Sequence, residues 1–350
     1  MKPRIGIVGT GQTVGIAHYH TQGLLADGRA EIAAVYDINN EGAATFLREH
    51  GLEGTRLCTS YSELLGCVDA VDICTPNYTH IDYVLQAIQA DKAIFVEKPL
   101  ALSASDSRRA LDALEGKNLF NMVGFVYRYA NVMPRLRRLV QDEIGRVYTF
   151  SASFGGKRLA NPQIGIEWRM LRGLSGSGAL GDFGSHVIDL VAFTSGLVFK
   201  KVSCLTSTVI HQRPPNLSGK TQVENDDQAV FAARTIGNAL ASFTVSRVGM
   251  DELRLLVVGE GGLARLSMAS PDQIDFLPAI GGVYSTEPRQ ITVEHQQPFD
   301  GWFAAQMRAF VDGLLGEPGD TADIRQGHYV ECVLEAAEKA AAMHAVRVEM

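Results

Sequence analysis

The first 125 residues alternate short apolar runs with segments long enough to form helices. The runs are apolar on both faces, which a parallel sheet covered by helices requires. This alternation predicts a doubly wound α/β domain. The runs are RIGIVG, EIAAVYD, AVDICT, AIFVEK and NMVGF, with a weaker TRLC between the second and the third.

From about residue 146 the pattern changes to strands with alternating apolar and polar residues, joined by turns that contain Gly and Asn. Such alternation predicts a largely antiparallel sheet in a second α/β domain. One helical run interrupts it near 182–195, and two more close the chain at roughly 301–315 and 323–344. The strands are RVYTFSASF, DQAVFAART, ALASFTVSR, ELRLLVVG and GLARLSM.

These patterns predict a dinucleotide-binding domain over 1–125, a substrate-binding and oligomerisation domain over 126–300, and C-terminal helices over 301–350 that pack back on the body. Two irregular stretches fall inside the second domain. The segment 211–227 is rich in turn formers and predicts a mobile loop. The Gly-rich VVGEGGL at 257–263 joins strand to strand, which predicts a hairpin turn.

Charge and cysteine content exclude several classes of protein. The formal net charge of -7 argues against nucleic-acid binding, because a phosphate backbone needs a concentrated basic face. No apolar run reaches the roughly 18 residues of a membrane-spanning helix, and the first residues pass directly into a strand pattern without a signal peptide. The five cysteines are scattered and form no Cys-x-x-Cys pair. We therefore expect a soluble, cytoplasmic protein.

A glycine-rich loop, GTGQTVG, follows the first strand and opens a helix. Its glycines, Gly9, Gly11 and Gly15, allow a tight turn and close approach of a pyrophosphate to free N–H groups at a helix N-terminus. Asp37 ends the second strand, where an acid can accept hydrogen bonds from the adenosine ribose. No Arg or Lys lies between Asp37 and Arg48 to hold a 2′-phosphate, so NAD is favoured over NADP. A doubly wound domain that binds no nucleotide remains the alternative.

Polar residues also end the fourth and fifth apolar runs, as TPNYTH at 75–80 and Glu97-Lys98-Pro99. Ligands of open parallel sheets bind at the carboxyl ends of the strands, so both motifs are expected to face the same crevice as the glycine loop. Lys98 offers a cation or a proton donor, and Pro99 fixes the turn that holds it. A simple strand-end salt bridge from Glu97 is the alternative. The predicted cofactor-binding residues are Gly9, Gly11, Gln12, Thr13, Asp37, Thr75, Pro76, Asn77, His80, Glu97 and Lys98.

A second polar cluster follows a Gly/Ser loop in the second domain. Asp182, His186 and Asp189 are spaced to lie on one face of a helix that is otherwise largely apolar. A histidine beside carboxylates suggests acid–base chemistry, with Asp189 as a partner of His186. Asp and His one turn apart could also share a metal ion, but no third ligand has a suggestive spacing, so no metal is predicted. A satisfied helix histidine without a function is the other alternative.

Taken together, these motifs resemble the Gfo/Idh/MocA family of NAD(P)-dependent oxidoreductases. The resemblance spans nearly the whole chain and implies a Rossmann domain plus an α/β domain with an open, mainly antiparallel sheet. That sheet often forms the oligomer interface in the family, so a homodimer or homotetramer is expected. The motifs that carry the resemblance are the glycine loop, TPNYTH, VEKP, GFVYRY at 124–129, EWR at 167–169, SGSGALGDFGSHVIDL and the C-terminal helices.

The resemblance also implies roles for particular residues. In inositol-dehydrogenase-like members the matching positions are catalytic, and here they are Lys98, Asp182 and His186. It further implies a cis bond before Pro99. Two departures from the family pattern are the glycine loop, which is one residue longer, and Ser177, which replaces the middle Gly of a common triple. The expected substrate-binding residues are Lys98, Tyr127, Arg128, Trp168, Arg169, Asp182 and His186.

These observations lead to the hypothesis of an enzyme that passes a hydride between a secondary alcohol of a cyclic polyol or sugar and NAD. Inositols are the first expectation for the substrate, ahead of pyranose sugars and sugar phosphates. An enzyme that cleaves glycosides through a transient oxidation would use the same motifs. A cofactor-binding sensor without catalysis is a third possibility, although it would not need both Lys98 and His186.

Overall fold

The computed structural model describes residues 1–11, 15–249, 252–317 and 319–343. The strands are β1 (Arg4–Val8), β2 (Glu31–Tyr36), β3 (Arg56–Leu57), β4 (Ala70–Ile73), β5 (Ala93–Glu97), β6 (Asn121–Gly124), β7 (Val147–Gly155), β8 (Phe199–Ser207), β9 (Gln228–Thr235), β10 (Leu240–Ser246), β11 (Arg254–Gly259), β12 (Gly262–Ser267), β13 (Gln273–Ile280), β14 (Val283–Tyr284) and β15 (Arg289–Thr292). The α-helices are α1 (Ile16–Asp27), α2 (Asn40–Glu49), α3 (Tyr61–Leu65), α4 (His80–Gln89), α5 (Ala104–Ala113), α6 (Val132–Leu139), α7 (Arg172–Ser175), α8 (Ser185–Ser195), α9 (Asp300–Leu314) and α10 (Ile324–Ala342). Short 3₁₀ turns lie at Asn77–Thr79, Val126–Tyr129, Arg158–Ala160 and Trp168–Met170, and π-helical turns at Val140–Ile144 and Leu180–Gly184.

The first sheet has six parallel strands in the order β3-β2-β1-β4-β5-β6. All four residues of β4 are buried, as are four of the five in β5, because helices cover both faces of the sheet. The strand order reverses between β1 and β4, which is the topological switch point where such folds bind dinucleotides. The predicted doubly wound parallel sheet is confirmed.

Three helices around this sheet begin at a polar residue whose side chain accepts a backbone N–H of the first turn. These residues are Asn39 before α2, Ser60 before α3 and Ser103 before α5, at 3.0 to 3.2 Å. Such caps satisfy donors that have no partner within the helix. The sequence therefore specifies where these helices begin as well as which face they bury.

The second sheet has nine strands in the order β14-β13-β12-β11-β7-β10-β9-β8, with β15 beside β13. Among the described pairings, β10 with β7 is parallel and the others are antiparallel, which confirms the predicted, mainly antiparallel sheet. Residues of β9 and β10 alternate between exposed and buried, so one face of the sheet is covered. On the covered face the Phe154 ring of β7 lies 4.9 Å from the Phe183 ring and 5.9 Å from the His186 ring.

The chain forms two compact units. The first contains Met1–Tyr129 and Gln297–Glu331, and the second contains Ala130–Gln296 and the chain from Cys332 onward. In the first unit α9 packs on α1, where the Tyr19 and Phe303 rings stack with centroids 4.9 Å apart. Within the described residues, no helix has the length and apolar character needed to cross a membrane.

The predicted hairpin in the glycine-rich stretch 257–263 is confirmed, because Gly259 of β11 pairs with Gly262 of β12. Its turn lies tightly against the π-helical turn that precedes β7. A Cβ atom on Gly261 would lie 1.9 Å from the backbone oxygen of Glu143, a distance that no real contact adopts. This glycine is needed for close backbone packing.

We predict that Gly261→Ala destabilises the protein by about 1–3 kcal/mol, because the backbone must move to admit one methyl group. Gly237→Ala is the matched control, since Gly237 lies in the β9–β10 hairpin and a Cβ there meets no atom within 4 Å. Its effect should stay within about 0.5 kcal/mol. Urea unfolding followed by circular dichroism measures both, and equal midpoints for the two variants would contradict the packing argument.

Candidate active site

The glycine loop of the first unit leaves the end of β1 in a tight turn. Gly9 and Gly11 have φ angles of +85° and +57°, in the region that favours glycine. The Gly9 N–H donates to the Tyr36 oxygen at 2.9 Å, and a Cβ on Gly9 would lie 2.6 Å from Cγ2 of Thr75. A Cβ on Gly11 would meet no atom of the described residues within 4 Å, so they leave room on this side of the loop. The predicted cofactor residues Gln12 and Thr13 lie outside the described residues.

Asp37 follows β2 and holds this loop in place. One of its carboxylate oxygens accepts from the backbone N–H and the hydroxyl of Thr10 at 2.7 and 2.8 Å. The other accepts from the N–H of Asn39 at 2.8 Å. Each carboxylate oxygen has more than one lone pair, so Asp37 retains acceptor capacity for ribose hydroxyls.

These features fit a dinucleotide. Helix α1 begins after Gly15 with no side-chain cap and no acidic residue in its first turn, so the positive end of its dipole is available to an anion. Gly11 leaves the loop open at this end, and Asp37 supplies an acceptor for the ribose. The described residues of the loop would therefore hold the pyrophosphate with backbone N–H groups, and Asp37 would hold the adenosine ribose.

The segment after β4 is tied to the turn after β5 through a histidine. His80 is fully buried, and its ring nitrogens lie 2.7 Å from the Thr75 oxygen and 2.9 Å from the Pro99 oxygen. Burial lowers the pKa of His80, although the two carbonyl groups oppose this. The ring thereby fixes two of the predicted cofactor-binding segments relative to each other. That His80, Thr75, Pro76 and Asn77 contact the cofactor stays a prediction.

Lys98 stands at the carboxyl end of β5 in a constrained backbone. The Lys98–Pro99 peptide bond is cis, as the family resemblance implied. The Lys98 N–H donates to Oε2 of Glu97 at 3.2 Å, and the Lys98 side chain is half-buried. Glu97 is only 8% exposed. The predicted catalytic lysine is therefore held by the carboxylate before it and the proline ring after it.

Tyr127 and Arg128, two predicted substrate residues, lie in the 3₁₀ turn that follows β6 at the same edge of the sheet. Both are buried, at 9% and 6% exposed. The Tyr127 ring packs 5.5 Å from the Trp302 ring of α9. The first unit thus collects Asp37, Lys98 and this pair at the carboxyl ends of its strands.

In the second unit, Asp182 lies in the π-helical turn that leads into α8, and His186 and Asp189 lie in α8 itself. Asp182 is partly exposed, whereas His186 and Asp189 are 5% and 1% exposed. The His186 ring contacts the edge of Phe154. A π-helical turn at the start of a helix is often associated with a functional site.

Trp168 and Arg169 occupy a 3₁₀ turn of the same unit. The Arg169 guanidinium lies over the Trp168 ring at 4.3 Å. Burial lowers the pKa of Arg169, and the nearby carboxylates of Asp182 and Glu167 oppose this effect. Glu167 also accepts two hydrogen bonds from Arg158, at 2.6 and 2.8 Å. The structure thereby groups Arg169 with Asp182, two of the predicted substrate residues.

Sequence analysis missed the residues that anchor this region. Asp226 accepts from the N–H groups of Gly178 and Leu180 at 2.7 and 2.8 Å, and its own backbone oxygen accepts from Ala179 at 3.0 Å. A Cβ on Gly178 would lie 1.8 Å from that backbone oxygen. Burial raises the pKa of Asp226, against the effect of these hydrogen bonds. Asp226 therefore fastens the segment that enters the turn carrying Asp182.

A second anchor holds the neighbouring segment. The Asn225 amide donates to the Arg169 oxygen at 3.0 Å and to the Ser175 hydroxyl at 2.9 Å. Buried Arg247 donates to Asp227 at 2.8 Å, to the Asn225 side chain at 2.9 Å and to the Arg169 oxygen at 3.2 Å. Residues 225–227 and Arg247 thus form a connected group of buried polar side chains that anchors this region.

The prediction of a mobile loop over 211–227 was wrong for its last residues, since Asn225, Asp226 and Asp227 are 4%, 9% and 0% exposed. The prediction rests on the turn formers of the segment and takes no account of burial. The recorded side-chain partners of these three residues lie 17 to 56 residues away in the chain, so no local pattern reveals them. The one sequence feature that could have indicated these buried residues is the polar cluster ENDD, which lies directly before a strand.

Two family profiles match the chain. One, described as an oxidoreductase family with an NAD-binding Rossmann fold, matches residues 3–125, and the other, described as the GFO/IDH/MocA C-terminal domain, matches 133–265. The first confirms the predicted NAD cofactor. The two profiles together cover most of both described units.

Individual proteins are also similar. Levoglucosan dehydrogenase of Pseudarthrobacter phenanthrenivorans is 31% identical over 229 residues, which are 61% of this chain and 58% of that protein. Inositol 2-dehydrogenase 3 of Saccharopolyspora erythraea is 30% identical over 321 residues, 90% of this chain and 86% of that protein. A solved levoglucosan dehydrogenase in complex with NADH and levoglucosan superposes with a TM-score of 0.87 at 23% identity, covering 98% of both chains. The last similarity shows the shared fold.

We predict that Asp226→Asn lowers the free energy of unfolding by about 1–3 kcal/mol, because the amide presents one oxygen to two buried N–H donors. Asp275→Asn is the matched control, since the partly exposed Asp275 carboxylate forms a loose pair with Arg265 at 3.8 Å. The control should change stability by less than about 0.5 kcal/mol. Thermal unfolding of both variants measures the difference, and equal losses would show that Asp226 is not an anchor.

Proposed function

Since the chain belongs to the GFO/IDH/MocA family of NAD-dependent oxidoreductases, we propose that it oxidises a secondary alcohol of a cyclic polyol or sugar. The observation that carries the proposal is the placement of Lys98. It follows β5 at the carboxyl edge that also holds the glycine loop and Asp37, and both of its peptide neighbours restrict its position. A lysine held in this way at a cofactor edge is suited to bind the oxygen of a reacting hydroxyl.

NAD, when bound, supplies the acceptor for the hydride that leaves the carbinol carbon. We propose that the His186 imidazole takes the hydroxyl proton as the C–H bond breaks, which leaves a ketone. The Lys98 ammonium donates a hydrogen bond from Nζ to the same oxygen and stabilises its developing negative charge. Asp182 orients further substrate hydroxyls by accepting their hydrogen bonds. The reverse reaction returns the proton from His186.

The polarity of the proposed substrate residues and the names of similar proteins both support this substrate class. Asp182 and Arg169 offer an acceptor and a donor, and the Trp168 ring offers an apolar face, a combination that suits a ring carrying several hydroxyls. Proteins similar to this chain are named for levoglucosan and for inositol. We propose an inositol as the first candidate, with pyranose sugars and sugar phosphates next.

We further propose that the chain works in the cytoplasm as a homodimer or homotetramer built on the open face of the second sheet. Leu205 of β8 and Val230 of β9 form a cross-strand pair on this face, and they are 61% and 54% exposed. Adjacent exposed aliphatic side chains favour burial against another surface. A second copy of the chain brings the same pair and satisfies two-fold symmetry.

We predict that purified protein reduces NAD in the presence of one member of a panel of inositols, aldoses and sugar phosphates, and NADP more slowly. Lys98→Ala should lower the turnover rate by about 10² to 10⁴, the usual range for acid–base assistance. Exposed Lys200→Ala is the control and should retain the rate of the unsubstituted protein. The initial rate at which absorbance increases at the NADH band measures the turnover of each variant.

Three outcomes, from that assay together with product analysis and NADH titration, would contradict the proposal. Glycoside cleavage without net NAD reduction would identify an enzyme that uses oxidation only transiently. Tight NADH binding with no turnover of any panel member would favour a sensor. Full activity in the Lys98→Ala variant would remove Lys98 from the site.

We predict that Leu205→Asp shifts the protein to a smaller assembly, because a charge on the open face of the second sheet would be desolvated when two copies associate. Leu217→Asp, on a fully exposed loop residue, is the control and should leave the mass unchanged. Light scattering coupled to size exclusion measures both. A monomeric unsubstituted protein would contradict the assembly.

A further inference from the structure

A buried ionic pair lies behind Lys98 in the first unit. His20 of α1 and Asp72 of β4 are both fully buried, and Nδ1 of His20 lies 3.0 and 3.1 Å from the two carboxylate oxygens of Asp72. Strand β4 is in the middle of the sheet, where an apolar residue would be the default. A carboxylate and an imidazole at this depth therefore need an explanation other than packing.

The other ring nitrogen of His20 faces the residue before Lys98. Nε2 of His20 lies 3.4 Å from Oε1 of Glu97, and within the described residues neither atom has a hydrogen-bond partner. The ring is fixed edge-on against Phe95, with centroids 4.9 Å apart, and beside Phe303 at 5.5 Å. It cannot turn away, so it stands between the carboxylates of Asp72 and Glu97.

Its surroundings favour the charged ring. Burial alone would lower the pKa of His20, but the Asp72 carboxylate raises it by more, so the pKa of the ring lies well above its usual value. The charged and titratable groups with recorded contacts to the ring are Asp72 on β4, Cys74 just after β4 and Glu97 at the end of β5, and α9 packs the Phe303 ring beside it. Only the protonated ring can donate from both nitrogens.

Cys74 is hydrogen-bonded within this cluster. Its sulfur lies 3.3 Å from both Nδ1 of His20 and a carboxylate oxygen of Asp72, which are the lengths of hydrogen bonds to sulfur. Burial and the Asp72 carboxylate raise the pKa of the Cys74 thiol. The thiol therefore stays protonated and adds no negative charge beside His20.

The neighbouring strand is shaped around the Glu97 carboxylate. Gly124 ends β6 beside it, and a Cβ atom there would lie 2.2 Å from Oε1 of Glu97. The missing side chain therefore makes room for the carboxylate to reach His20. The other carboxylate oxygen of Glu97 accepts the Lys98 N–H. The Glu97 side chain therefore links the buried pair to the backbone of Lys98.

We propose that His20, supported by Asp72, is a positioning residue for Lys98: it fixes the Glu97 carboxylate, which in turn fixes the backbone and the electrostatic environment of the lysine. This rests on the proposed function of Lys98 as the residue that binds the reacting oxygen. With His20 charged, the cluster carries one positive and two negative groups. Loss of His20 removes the positive charge that faces both carboxylates and frees Glu97, the neighbour of the lysine, to move.

The test compares two ways of removing the ring. His20→Gln removes the charge and leaves Asp72 unpaired. The double variant His20→Leu with Asp72→Leu removes the whole pair, and replacing a buried ion pair by apolar residues usually preserves folding. His295→Gln is the matched control, because His295 forms an exposed pair with Asp272 at 2.6 Å.

Thermal unfolding and NADH titration first establish that each variant is folded and binds cofactor. We then expect kcat to fall about 10- to 100-fold in both His20 variants, with a smaller change in KM and a displaced pH profile, because a small misplacement of a reacting group is costly. The control should match the unsubstituted protein. Unchanged kcat and pH profile in the folded double variant would overturn the proposal.

A readout without substrate separates this inference from the proposed function. The rate at which acetic anhydride acylates Lys98, measured by peptide mass spectrometry, reports the state of its amine. We expect that rate to fall several-fold in His20→Gln, because unneutralised carboxylates favour the ammonium form. If the unsubstituted protein reduces no NAD with any polyol, the proposed function fails while the acylation rate still decides the inference, and an unchanged rate would refute it.

Discussion

Parallel pairing of six strands is the constraint on which the candidate site depends. Parallel strands all end at one edge, so residues distant in sequence become neighbours there without any local signal. The glycine loop after β1, Asp37 after β2, the Thr75 segment after β4 and Lys98 after β5 share this edge. The chemistry of the first unit is therefore a consequence of strand direction, and the particular side chains determine what binds.

Two buried polar clusters contact the segments that carry the proposed site residues, one in each unit. In the first, His20 and Asp72 lie behind Glu97 and Lys98. In the second, Asp226 and Arg247 fasten the segments that carry Arg169 and Asp182. Buried charge pairs add little net stability, so we propose that these clusters serve mainly the geometry that they impose.

Much of the fold was predictable, because the spacing of apolar residues along a strand or helix is a local property of the sequence. Strands such as β4 and β5, apolar on both faces, indicated a parallel sheet, and the alternation in β9 and β10 indicated a sheet with one covered face. The motif around Lys98 was also visible, because a polar triplet at the end of a buried strand is unusual. The buried polar residues that hold these segments could not be predicted. His20 resembles any helix histidine until Asp72, 52 residues later, is placed beside it, and Asn225–Asp227 resembled a solvated turn until Arg247 and Gly178 closed around it.

The central claim is that a hydride moves directly from a carbinol carbon to the cofactor. The most direct test is mass spectrometry of the cofactor after turnover of the preferred polyol deuterated at its ring carbons. We expect one deuterium in each reduced cofactor molecule and a matching ketone product. Reduced cofactor without deuterium, or consumption of the polyol while the cofactor stays oxidised and unlabelled, would contradict the account.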